Sequence, residues 1–320
     1  MATVGCAGIL AADTVCGPMR RLPLAGELLA IDRMPSSAGG CAANVAIDLA
    51  KQGIAVDVCG CVGGDPSAEV LLESLGGAGV GCGQLQRLAT HATSQTMILL
   101  VEGEDRRFIH MFGANAGFEV RHIRRDWIDG LKVLYFGGFF ATPAVRSDEL
   151  AELFRYCRSR GIATVLDVIV PQAGRGMESL EPLLPHVDYF LPNDDEAERL
   201  TELTTPEAQA ARFLQCGAGT VMITCGGGGA LAARGGRRWR AAAYPVQAVD
   251  PSGSGDAFAA GVIAGIVHGW EMADTLRYAA ALGASATTAI GTTAGVLDAR
   301  EAAAFVRQHP LEVAVSEQGN

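Results

Sequence analysis

Lysine is almost missing from this sequence: Lys51 and Lys132 are the only two, and neither follows a glycine-rich loop. With no G-x-x-x-x-G-K-[ST] segment, a P-loop is excluded. No C-x-x-C pair occurs among the nine cysteines, which are scattered through apolar stretches with an odd one left over. The chain therefore reads as a reduced, cytoplasmic protein without a disulfide framework. Apolar runs stop well short of the ~20 residues that span a bilayer. The opening "MATVGCAGILAADTV" has no positive segment before its apolar run and meets an acid at Asp13. It is expected to be a first buried strand rather than a signal peptide. Positive charge is also scarce, with 25 Lys and Arg against 35 Asp and Glu and a formal net charge of −10. Nucleic acid and anionic membrane surfaces are poor partners for such a chain, and a small molecule is the expected ligand.

The 320 residues suit one large α/β domain or two ordinary ones. From about residue 130 short apolar runs alternate with helical patterns. Strands are predicted at Lys132–Phe136, Ala163–Asp167, Val187–Leu191 and Thr220–Thr224. Helices are predicted from Ser147, from Asp194 and from Thr205, where Thr-Pro reads as N-cap and first turn. Such alternation signals βαβ units and a parallel sheet covered on both faces. Residues of about 14–36 and 88–115 break the pattern with strands and turns, and "VEGEDRRF" reads as a hairpin turn. A small antiparallel flap built from two excursions is the expectation, giving one domain over 1–320 plus a lid. The closing "VSEQGN" is expected to be a frayed end.

The most informative segment is "AVDPSGSGDAFAAGVIAGIVHGW", with two acids around a Gly-Ser-Gly turn ahead of small and apolar residues. "YPVQAV" before it alternates as a strand does, and the run after it suits a buried helix. In a strand-to-helix turn, the backbone N–H groups of Gly253, Ser254 and Gly255 form a nest for an anion, aided by the helix dipole. Asp256 at that spot suits a general base beside transferred charge, or a plain N-cap, and the segment alone does not decide. "GSGDAF" has Phe258 where a dinucleotide fingerprint needs its third glycine.

Three further groups stand out. Gly39 and Gly40 let a ligand approach the backbone, and Asn44 offers a donor and an acceptor to a hydroxyl, although Gly-Gly before a helix is also an ordinary turn. Asp13, past the carboxyl end of the first strand, suits either two hydroxyls of a polyol or a turn cap. Asn193 and Glu196 bracket a strand end and a helix start, which fits a hydrated Mg²⁺ on phosphates as well as a favourable helix N-terminus. Arg106, Arg107 and His110 fall in the flap. Arg20 and Arg21, also there, suit a substrate anion or plain surface.

"GGCAANVAIDLAKQG", "PNDDEAERLT" and "DPSGSGDAFAAGV", in that order, resemble the two signature segments and intervening N-x-x-E motif of the ribokinase-like (PfkB) carbohydrate kinases. "HMFGANAGF" is similar to the Gly-Ala-Asn segment after their lid, and "VMITCGGGGALAA" to the strand and glycine-rich loop beside their nucleotide. The resemblance implies a Rossmann-like three-layer αβα domain with a mainly parallel sheet, a β-sheet lid through which many members dimerise, and transfer of phosphoryl from Mg·ATP to a sugar hydroxyl. It implies Asp256 as base and Gly253, Ser254 and Gly255 as anion hole. Asp13, Gly39, Gly40, Asn44 and Asn115 would hold the sugar. Asn193 and Glu196 would act through Mg²⁺, held at Glu196 by way of water, with Thr224 and Gly226 by the nucleotide. In cation-activated relatives Asp250, Ser252 and Gly291 would bind K⁺. The chain departs from the usual Asp-Thr-x-Gly-Ala-Gly-Asp by Pro251 and Ser252, and "TCGGGG" lacks a charge common in its loop. A nucleoside kinase of the same fold, and a non-catalytic sugar-binding protein, are the alternatives.

Overall fold

The computed structural model describes residues 2–104, 106–170 and 176–317. In chain order the strands are β1 (Val4–Gly8), β2 (Ala11–Met19), β3 (Ser36–Gly39), β4 (Val56–Val62), β5 (Gly81–Arg87), β6 (Gln95–Val101), β7 (Arg107–Met111), β8 (Val133–Gly137), β9 (Ala163–Leu166), β10 (Tyr189–Phe190), β11 (Thr220–Thr224), β12 (Ala230–Arg234), β13 (Arg237–Ala241) and β14 (Val313–Glu317). The helices are α1 (Cys41–Lys51), α2 (Pro66–Gly77), α3 (Arg125–Ile128), α4 (Ser147–Ser159), α5 (Met177–Leu180), α6 (Asp194–Thr201), α7 (Pro206–Gln215), α8 (Ser254–His268), α9 (Met272–Ala286) and α10 (Ala299–Gln308).

Ten strands form one sheet in the order β14-β13-β12-β11-β10-β9-β8-β1-β4-β5. The pairs from β11 through β5 are parallel, and β12, β13 and β14 add antiparallel neighbours at one side. Alternation along β1 and β8 sends Val4, Cys6, Val133 and Tyr135 to a core shared with α1, α2, α8, α9 and α10. Ala7, Leu134 and Phe136 face the opposite core with α4, α6 and α7. A sheet buried on both faces needs this near-continuous apolar character, so the molecule is a three-layer αβα sandwich. Helices α8 and α9 cross so closely that a Cβ at Gly261 would lie 2.4 Å from the Ala279 Cα.

A second sheet, β3-β2-β6-β7, stands apart from the first. It is mixed rather than antiparallel throughout: β2 pairs β6 in parallel, with Asp13 beside Thr96. Both strands leave the main sheet outward, β2 after β1 and β6 after β5, and chains leaving in one direction pair in parallel. Its first strand begins at Ala11, ahead of the expected residue 14, so Asp13 lies within a flap strand. The β6–β7 pairing fits the hairpin read from "VEGEDRRF".

Two local expectations are corrected. "YPVQAV" forms no strand, because β13 already pairs with β12 and β14. Its alternation has another cause: Tyr244, Val246 and Ala248 line a cleft while Pro245 and Gln247 are exposed. Residues Val313–Glu317 are paired with β13 and so are not a frayed end, and the last three residues lie outside the described chain.

Candidate active site

The cleft, about 1100 Å³, lies along the carboxyl ends of the parallel strands. Ile9 follows β1, Asp167 follows β9, Asn193 follows β10 and Thr224 ends β11, and all line it. This is where open α/β sheets take ligands. From β1 to β11 is four strand spacings, about 19 Å. The flap residues Asp13, Thr96, Phe108 and His110 wall one end, and Gly226, Gly227 and Tyr244 the other.

Helix α8 supplies the centre. Its N-cap, Gly253, takes φ 77° and ψ 0°, and a Cβ there would lie 1.9 Å from the Thr292 carbonyl oxygen. Only glycine fits both the left-handed backbone and the contact. Gly253, Ser254 and Gly255 face the cleft at the helix start, with the Ser254 N–H reaching back to the Pro251 carbonyl at 3.3 Å. Asp256 is the third residue of the helix. Its Oδ2 accepts from Asn44 Nδ2 at 2.8 Å. Burial raises its proton affinity, and donation from Asn44 and the Cys41 thiol opposes that.

Asp13 is 6% exposed, and its Oδ1 is buried with no hydrogen-bond partner. Burial pushes its carboxyl up to about 6. Gly39 makes room for it: a Cβ there would lie 1.8 Å from Asp13 Oδ2. Gly40, φ 84°, caps α1 against the Ile9 carbonyl and lines the cleft. Asn44 is buried with both ends of its amide engaged, the second accepting from Thr292 Oγ1 at 2.9 Å. Asn115 does not wall the cleft; its amide bonds the backbone N–H and C=O of Leu10, at 3.1 and 2.8 Å, and so fixes the β1–β2 turn.

Asn193 and Glu196 form a capping box on α6: Asn193 Oδ1 accepts from the Glu196 N–H at 2.8 Å, and Glu196 Oε2 from the Asn193 N–H at 3.1 Å. The helix-start reading therefore holds, and both residues also line the cleft. Burial pushes Glu196 up to about 7. Thr224 and Gly226 line the cleft nearby. Asp250, wholly buried, lies behind the wall and accepts from the Ser252 N–H at 3.0 Å and the Gly291 N–H at 2.9 Å. The hydroxyl of Ser252 is buried without a partner.

The sequence reading missed Asp167. It accepts from Tyr135 Oη at 2.9 Å and the Val168 N–H at 2.7 Å. Burial raises its proton affinity strongly, and the charges of Glu196 and Asp256 add to this. One ligand atom from each of Cys41, Asp167 and Asp256 lies within 4.8 Å of the others. The missed signal was an acid ending a parallel strand, the criterion applied at Asp13 and not here. In the flap, Arg106 and His110 line the cleft while Arg107 turns away to pair with Glu104. Arg21 is held by Glu27 at 2.6 Å on the surface, and Arg20 is exposed.

Residues 1–300 match the family model described as "pfkB family carbohydrate kinase". The ATP-dependent 6-phosphofructokinase of Thermoanaerobacterium thermosaccharolyticum is 25% identical over 267 residues, 81% of this chain and 82% of that one. The structure of Arabidopsis thaliana ribokinase complexed with ribose and ATP superposes with a TM-score of 0.80 at 21% identity, covering 96% of this chain and 99% of that one. An E. coli protein solved with ATP and Mg²⁺ gives 0.82 at 22% identity, covering 97% and 100%. At those identities the structural likeness concerns the fold.

Proposed function

The chain belongs to the pfkB family of carbohydrate kinases, and from that membership we propose that it transfers the terminal phosphoryl group of ATP to a hydroxyl of a sugar, with Asp256 as general base. The observation that carries the reading is a half-buried carboxylate in the first turn of α8, in one cleft with the unpaired Asp13 oxygen. Asp13 and the backbone at Gly40 would hold the acceptor. The attacking oxygen bonds to the γ-phosphorus, its proton passes to Asp256, and the bond to the leaving β-phosphate oxygen breaks to give ADP. The helix start at Gly253, Ser254 and Gly255 would hold the charge on the transferred group, a role suited to oriented N–H groups.

Thr224, Gly226 and Tyr244 belong to the nucleotide end. The carboxylates of Glu196 and Asp167 are hard-oxygen groups whose charges disfavour one another, which fits a hydrated Mg²⁺. When bound, that ion neutralises charge on the phosphates. Asp250, the orphaned hydroxyl of Ser252 and the backbone near Gly291 fit a monovalent cation, with K⁺ the candidate.

The second sheet is read as a lid over the acceptor end. Its far side, with Met97, Ile109 and Met111 exposed by 39–61%, supports homodimer formation through that sheet. Among the described residues no helix is long and apolar enough to cross a membrane, in keeping with the proposed cytoplasmic site of action. A nucleoside acceptor is the second reading, favoured by Phe108 and Phe112 on the cleft wall. Coupled ADP release with ribose, fructose, fructose 6-phosphate, ketodeoxygluconate, adenosine and inosine separates the two. Stimulation by a nucleoside alone overturns the sugar reading. A shifted melting temperature without any stimulation points to a non-catalytic binder.

A further inference from the structure

Asn44 has the residue type and place expected of a sugar ligand, yet the structure commits its amide within the protein. Its Nδ2 donates to Asp256 Oδ2 at 2.8 Å and its Oδ1 accepts from Thr292 Oγ1 at 2.9 Å, with Asn44 3% and Thr292 8% exposed. A buried amide facing a carboxylate is sensitive to its orientation. With the NH₂ turned toward Asp256 it makes a charge-assisted bond, whereas the flipped amide sets carbonyl oxygen against carboxylate oxygen. In the favourable orientation the Asn44 carbonyl oxygen points away and needs a donor of its own, since a buried acceptor left unpaired is costly. Thr292 supplies that donor.

Thr292 is itself held on several sides. Its neighbour Gly291 donates to Asp250, and its own carbonyl packs against Gly253, where a Cβ would lie 1.9 Å away. The loop beyond it is tied to the far end of α1. Lys51 Nζ donates to the Thr293 carbonyl and, at 3.3 Å, to that of Val296, and Gln52 Nε2 donates to the Leu297 carbonyl at 2.9 Å. Gln52 is fixed in turn by Tyr278 Oη at 2.5 Å. One end of α1 thus anchors the loop, and the loop reaches back to Asn44 near the helix's other end.

We propose that Thr292 is a positioning residue which holds the Asn44 amide with its NH₂ toward Asp256, and so keeps the base in place for the transfer. The role in transfer rests on the kinase reading above; the geometric claim does not. Replacing Thr292 by Val keeps the shape and removes the hydroxyl, leaving Asn44 Oδ1 without its donor. Thr292→Ser keeps the hydroxyl.

The chain has four asparagines, Asn44, Asn115, Asn193 and Asn320, so ¹⁵N-asparagine labelling gives a readable set of side-chain amide pairs. The Asn44 pair, assigned by its loss in Asn44→Ala, is expected to exchange slowly with solvent in the parent and in Thr292→Ser. In Thr292→Val it should shift and lose that protection. With whichever acceptor supports turnover, Thr292→Val should lower kcat by about fivefold to tenfold, the value of one buried hydrogen bond. The KM for ATP should stay within twofold, and Thr292→Ser should recover the rate. In an Asn44→Ala background Thr292→Val should add no further loss. An unchanged Asn44 pair in Thr292→Val overturns the inference, as does a loss carried by KM alone or left unrescued by serine. If the amide responds as expected but neither parent nor variants transfer phosphoryl, the kinase reading falls and the geometric inference stands.

Discussion

Replacing Asp256 by Asn separates the chemistry of this site from its stability. The substitution keeps the size of the side chain, and its carbonyl oxygen can still accept from Asn44, which reaches Asp256 Oδ2 at 2.8 Å in the parent. What is lost is the negative charge and the proton acceptor. A positioned base contributes about 10²–10⁴ in rate. At ~1.36 kcal/mol per decade this corresponds to about 2.7–5.4 kcal/mol of barrier. Turnover should fall by that factor while ATP and acceptor binding, followed by calorimetry, change little. Stability should move the other way. Burial holds the folded Asp256 carboxyl above its ordinary range, so between the unfolded and folded values the native state binds more protons and the parent loses stability as pH rises. Asparagine has no such loss. The melting temperature of Asp256→Asn in EDTA should therefore equal or exceed that of the parent at any pH above the ordinary carboxylate range. Turnover within about threefold of the parent refutes the base assignment. A variant several degrees less stable at pH 8 refutes the electrostatic account.

Glu196, pushed up to about 7, and Asp13, up to about 6, are both raised mainly by burial. Activity at fixed Mg²⁺ should climb from pH 5.5 to 7.5 as they ionise, while the metal-free stability that their protonated forms contribute drains from about pH 4 to 7, between the ordinary carboxylate values and the raised ones. A profile flat from pH 5.5 counts against both. Gly253→Ala should cost at least about 1–2 kcal/mol from the left-handed backbone alone, and more from the 1.9 Å approach to Thr292; urea titration measures it, and a neutral result contradicts the geometry. KCl should stimulate turnover over LiCl at equal ionic strength, and Asp250→Ala should abolish the difference. Sedimentation velocity should show a dimer that Ile109→Arg converts to monomer.

Much of the main layer was legible because its signals are local. Thr220–Thr224 is a strand as written, and Thr205 caps α7 by accepting from the Ala208 N–H. The side chains that meet across the chain were harder. Asn44 lies more than two hundred residues from both Asp256 and Thr292, and no periodicity reports that two ends of one amide are already taken. Asn115 failed for the same reason, its polarity being spent on Leu10. The alternation of "YPVQAV" was real, but a period of two records which sides of an extended segment are wet, and a cleft wall meets that condition as well as a sheet does.

The placement of Asp13 in β2 has a consequence for how such molecules diverge. The residue proposed to read the acceptor rides on a flap strand, whereas Asp256 begins a helix of the main sandwich. Substitutions along β2, β6 and β7 can reshape one without disturbing the packing of the other, so substrate preference can drift under relaxed selection while the transfer chemistry is conserved. Exchange of residues 11–39 and 95–111 between paralogues would then be expected to carry acceptor choice with it and leave nucleotide use behind.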